Sequence, residues 1–119
     1  CNDLNYCRGL EYADMKFLEN TWGGCASFCA NSKIVFVSDV GDFNAIGSYD
    51  CDVYFYGKIG GDCGADSTNT RFYSPHKKNL DKIVKKVGKD CHYYLLDDQG
   101  NAKPYGLKTK IWSLFGGKK

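Results

Sequence analysis

Two histidines, His76 and His92, are the side chains of this chain whose ordinary pKa lies closest to neutrality. With Glu11, Glu19 or an aspartate as partner and an arginine nearby, they would suffice for acid–base chemistry, RNA cleavage by transphosphorylation needing the least else. The spacing argues against it. Glu11 and Glu19 fall in a segment with helical periodicity near the N-terminus, whereas His92 lies in the β-rich run CHYYLL. A single histidine on a strand is more simply exposed or hydrogen-bonded. No nucleophile elbow, P-loop or paired-histidine zinc motif is present. Gly57-Lys58-Ile59-Gly60-Gly61 follows a strand but lacks the phosphate-binding spacing, so it reads as a hinge loop.

Other residues with chemical potential have plainer readings. Asp39, Asp42, Asp50 and Asp52 gather around one loop but not at EF-hand spacing, so solvated carboxylates are expected and no metal or cofactor is assigned. Lys78, Lys82, Lys85, Lys86 and Lys89 lie opposite the stripe Leu80, Ile83, Val84 and Val87 on a helical wheel. This basic face is the candidate binding site, for an anionic surface or an acidic partner; the simpler reading is a solvated face. The charge is lopsided: residues 1–60 carry four basic and eight acidic side chains, residues 61–119 twelve and six.

The elements that must position these groups follow from periodicity. Leu10–Asn20 reads as a first helix with Leu10, Ala13, Phe17 and Leu18 on one face, and Gly23-Gly24 after it. Lys33–Ser38 and Cys51–Lys58 read as strands, the second with Val53 and Phe55 on one face and Asp52, Tyr54 and Tyr56 on the other. Thr70–Ser74 fits a short edge strand, and Ser74-Pro75 opens the lysine helix, which Gly88 ends. Cys91–Leu96 and Tyr105–Leu114 read as strands, joined through a turn at Asp97–Asn101. The order helix–strand–strand thus occurs twice. The expected fold is α+β: two helices on one face of a mostly antiparallel four-stranded sheet, as one domain over residues 1–119.

Seven cysteines in 119 residues, none at zinc-finger spacing, point to a disulfide framework and an oxidising compartment. Cys7, Cys25, Cys29, Cys51, Cys63 and Cys91 are the candidates for pairing, with connectivity left open. The chain opens on Cys1 with no initiator methionine, which fits a processed, secreted protein, and no apolar run is long enough to span a membrane.

Two resemblances bear on function. The strand Cys91–Leu96 resembles the histidine-bearing strand of fungal ribotoxins, in that segment alone. The cysteine framework, the abundance of Tyr and Gly and the order of elements resemble small secreted fungal effectors of the secreted-in-xylem type and killer toxins. That likeness implies a virulence protein, extracellular or acting inside host cells, that binds a host protein or a second effector. The expected function is therefore binding rather than catalysis; the alternative is a small basic ribonuclease using His92.

Overall fold

The computed structural model describes residues 9–21, 23, 25–88 and 90–105. Five short strands share one sheet: β1 Asp14–Phe17, β2 Lys33–Phe36, β3 Asp52–Phe55, β4 Arg71–Ser74 and β5 His92–Leu96. Each pairs in parallel with the next in chain order, and a sixth, β6 Ala102–Pro104, closes the edge antiparallel to β5. One helix, α1 Lys77–Val84, lies between β4 and β5.

The registers reveal the rule behind this order. Asp14 pairs with Lys33, Lys33 with Asp52, and Asp52 with Arg71, each step covering 19 residues. The chain therefore winds as a coil and returns to the same place once per turn: a β-solenoid. Isolated bridges form two further ladders, Thr21 with Val40, and Glu11–Ala30–Tyr49–Thr68. The backbone repeats in finer detail. Tyr12, Asn31, Asp50 and Asn69 all take φ between 50° and 54°, and Ala26, Ala45 and Gly64 occupy a second left-handed corner. At a third corner the amides of Gly9, Phe28, Gly47 and Asp66 donate to the carbonyls of Ser27, Ile46, Ala65 and Lys86.

The core consists of rows of equivalent side chains stacked between coils. Phe17, Phe36 and Phe55 stack with ring centroids 5.0 and 5.1 Å apart, and Ile34, Val53 and Phe72 form the row beside them. Cross-strand stacking of this kind adds about 0.5–1.5 kcal/mol per aromatic pair beyond burial. Small polar residues tie the interior to the backbone. Ser32, Cys51 and Thr70 occupy one row, and each donates to the carbonyl two residues before it, at 2.8, 3.4 and 2.9 Å.

The fourth turn is longer, 21 residues from Arg71 to His92, and the helix fills it. Leu80 and Ile83 are fully buried and take over the interior. Side chains on the same flank replace the hydrogen bonds that another plain coil would supply to the third. Asn79 Nδ2 donates to the Gly57 carbonyl at 2.8 Å, and Lys82 Nζ to the Ile59 carbonyl at 3.0 Å. His76 Nε2 lies 3.1 Å from the Tyr56 carbonyl, a contact that requires the ring proton on Nε2.

Two expectations are corrected. The fold is not α+β with two helices on a four-stranded antiparallel sheet: the described residues form one eight-residue helix and a six-stranded, mostly parallel sheet. Leu10–Asn20 is not helical because Tyr12 turns left-handed at φ 54° and Phe17 is drawn into the phenylalanine stack, leaving Leu18 65% exposed. Thr70–Ser74 does contain a strand, but an inner one. The strand proposed for Tyr105–Leu114 lies, apart from Tyr105, outside the described residues.

The disulfide framework is corrected too. No disulfide joins any two of the described cysteines: Cys25 is disulfide-bonded, but Cys29, Cys51, Cys63 and Cys91 carry thiols. The reason is geometric. Cys51 sits between Ser32 and Thr70 in its row, and Cys63 is stacked on Asn44, so the neighbouring coil offers each thiol no sulfur. These cysteines act as small interior residues with a weak donor. Cys63 donates to the Gly41 carbonyl and Cys91 to that of Ser67. Cys7 lies outside the described residues.

Candidate binding surface

Because side chains alternate along a strand, the residues of β1–β5 that do not face the core form rows on the outer face of the sheet. The first row is Asp14, Lys33, Asp52, Arg71 and His92, which alternates in sign through its first four members. Arg71 holds it together: Nε donates to Asp52 Oδ1 at 2.7 Å and Nη1 to Asp50 Oδ1 at 2.9 Å. Those hydrogen bonds, Asp52 foremost, push the guanidinium pKa further up. All three side chains are partly exposed, so solvent screens the pairing and its chief effect is to fix geometry.

The second row is Lys16, Val35, Tyr54, Tyr73 and Tyr94. The tyrosine rings stack face to face, with centroids 4.3 Å apart between Tyr54 and Tyr73 and 5.0 Å between Tyr73 and Tyr94. Burial against neighbours, then the Asp52 charge, pushes the Tyr73 phenol up to about 12 and that of Tyr54 upward as well. Both stay neutral donors at physiological pH.

Leu18, Val37 and Tyr56, one coil apart at the strand ends, form the third row. They are 65%, 39% and 41% exposed. Other exposed apolar side chains, such as Phe28 and Phe43, do not line up in such a row. Where small Val35 and Val37 stand beside large Tyr54 and Tyr56, the face sinks into a shallow hollow of about 550 Å³ with Lys16 and Lys33 at its rim. Lys33 Nζ lies 5.4 Å from the Tyr54 ring centroid. The outer face is thus apolar and aromatic in the middle and charged along one side, a composition suited to contact with a partner.

The residues singled out from sequence are placed otherwise. Of the lysine face, Lys82 caps the Ile59 carbonyl and Lys86 pairs with Asp62 at 3.1 Å, while Lys78 and Lys85 are exposed and Lys89 lies outside the described residues. So two of the five are committed to holding the helix on the third coil. Asp39 and Asp42 accept the amides of Lys58 and Gly61 on the next coil, at 2.8 and 2.7 Å. Asp50 and Asp52 hold Arg71. Among the described residues no group of three or more histidines, cysteines or acids is placed to hold a metal ion.

Among the described residues no catalytic group assembles around His92. It stands exposed at the end of the charged row, while His76 is engaged with the Tyr56 carbonyl. Cys91 is adjacent to it, but successive side chains on a strand point to opposite faces, so thiol and imidazole diverge. Burial also pushes the Cys91 thiol up, away from a reactive thiolate. A second hollow of about 440 Å³, between the helix C-terminus and β5, is lined by Val84, Val87, Tyr93 and Tyr105, with His92 at its margin.

The sheet-face rows escaped the sequence reading because their members are a coil apart. The signal was there: Phe17, Phe36 and Phe55 recur at the register spacing, as do Ala26 with Ala45 and Ser48 with Ser67. No family model, curated protein or solved structure matches the chain.

Proposed function

We propose that this chain acts by binding a partner protein, without a catalytic step, through the outer face of its parallel sheet. The observation that carries this is the continuous exposed row Leu18–Val37–Tyr56 beside the stacked tyrosines, bordered by the charged row. A solenoid suits such a role. Its coils are joined along the sheet and again along the Glu11–Ala30–Tyr49–Thr68 ladder, so the surface is ordered before contact and little entropy remains to be lost on binding. Tyrosine adds large contact area with few rotatable bonds.

This mode of action agrees with the effector-type resemblance, in which a host protein or second effector is the partner. Of the described cysteines, Cys29, Cys51, Cys63 and Cys91 fit the interior as thiols, whereas Cys25 is disulfide-bonded. Among the described residues no helix is long and apolar enough to cross a membrane.

The test is co-precipitation from host extract with two matched pairs of variants. Val37→Asp with Tyr56→Asp should abolish partner capture, while Lys78→Glu with Lys85→Glu should leave it intact. Loss confined to the helix pair would refute the assignment. So would cleavage of RNA that His92→Ala removes, which would favour the ribonuclease reading.

A further inference from the structure

The outer sheet face is complementary to itself, and from that we infer that one partner of this chain is a second copy, packed face to face about a two-fold axis. The inference rests on the reading of this face as a contact surface and names what it contacts. Place the axis along the strands, between β2 and β3. The rotation keeps each row opposite the same row and reverses the order of the coils. β1 then faces β4 of the second copy, and β2 faces β3.

Every row is complementary in that one arrangement. In the charged row, Asp14 meets Arg71 of the second copy and Lys33 meets its Asp52. In the tyrosine row, small Val35 meets large Tyr54, which enters the hollow floored by Val35 and Val37. Lys16 meets the Tyr73 ring, a cation facing an aromatic surface. In the apolar row, Val37 meets Tyr56 and Leu18 meets Pro75.

Neighbouring registers lose this match. An axis through β2 sets Asp14 against Asp52 and Lys33 against itself. One through β3 sets Lys33 against Arg71. An axis between β3 and β4 sets Asp52 against Arg71 but Lys33 against His92, and it sets Tyr54 against Tyr73, large against large. The alternation of charge and the pairing of small with large side chains therefore select one isologous contact.

Size sets the strength. Four strands about 4.8 Å apart and five residues of about 3.3 Å each give a patch near 20 by 17 Å. That is below the standard protein interface, so the dimer belongs to the weak, concentration-dependent class.

Sedimentation velocity over a dilution series tests it, with unfolding curves confirming that each variant is folded. The native chain should move from monomer to dimer as concentration rises. Val35→Tyr, which fills the hollow, should weaken the dimer at least about tenfold. Adding Tyr54→Val to that variant restores one small and one large residue at each contact and should recover the dimer. If Val35→Tyr does not fold, mixing the single variants Val37→Cys and Tyr56→Cys decides: a disulfide-linked pair should form on mixing in preference to either variant alone. A native chain that stays monomeric at all concentrations overturns the inference, as does a dimer indifferent to Val35→Tyr. A monomer that still loses its captured partner with Val37→Asp and Tyr56→Asp overturns self-pairing alone and leaves the binding reading standing.

Discussion

Asn79 reaches back a full coil to Gly57: its Nδ2 donates to the Gly57 carbonyl at 2.8 Å while also contacting Ser74 Oγ at 3.0 Å. This side chain, 3% exposed, joins the helix to the coil before it, where the phenylalanine stack gives way to Ser74. Ser74 in turn accepts the His76 amide at the helix start. Removing Asn79 leaves buried polar groups unpaired. Asn79→Ala should destabilise by about 1–3 kcal/mol, measured by urea unfolding. Lys82→Met, which removes the partly exposed cap on Ile59, should cost about 1 kcal/mol, and exposed Lys78→Ala less than about 0.5 kcal/mol.

Thr21 offers the opposite case. Its hydroxyl is buried and has no hydrogen-bond partner, and the row it begins continues as Val40 and Ile59. Thr21→Val keeps the shape and removes the unpaired group. It should stabilise by about 1–2 kcal/mol, raising the urea midpoint at unchanged slope.

Gly64 stands where Ala26 and Ala45 stand in the earlier coils, but its surroundings differ. A Cβ there would meet the Phe72 ring at 2.9 Å and Ile83 at 3.4 Å, with φ at 75°. Gly64→Ala should therefore cost about 1–3 kcal/mol by thermal unfolding, from left-handed strain and overpacking together.

The buried thiols give stability a pH limit. Burial pushes Cys63 up to about 11 from 9.0, and it raises Cys51 and Cys91 in the same direction. In the unfolded chain these thiols ionise first, so above pH 9 the unfolded state binds fewer protons and is favoured. The stabilisation is complete below that pH and is lost as pH rises through the folded value. Denaturation midpoints should fall steadily between about pH 9 and 11, and Cys63→Ser should flatten part of that fall.

Legibility of the fold in the sequence divides along range. β2 and β3 were readable because KIVF and DVYF carry their pattern locally, and the structure buries Val53 and Phe55 as the alternation requires. The lysine helix was readable too, though shorter, since Leu80 and Ile83 keep a 3.6-residue period. The coil was not, because its period is written in side-chain roles more than in identities. Ser32, Cys51 and Thr70 do one job with three side chains, and Ala45 and Gly64 share one backbone corner. Leu10–Leu18 imitated a helix through spacing alone, and the stacking of Phe17 on Phe36 overrode it. For the candidate site, local reading found the lysines by charge density. It passed over Lys33, Val35 and Tyr54, whose meaning arises only when coils stack.

The central claim is that partner contact occurs on the outer sheet face, and tyrosine footprinting tests it most directly. Tyr54, Tyr56 and Tyr73 lie on that face, while Tyr49, 54% exposed, stands on another ladder of the coil and serves as an internal control. Nitration read out by peptide mass should be suppressed at Tyr54, Tyr56 and Tyr73 when partner is bound, with Tyr49 unchanged. Protection of Tyr49 with the three sheet-face tyrosines still fully reactive would contradict the account.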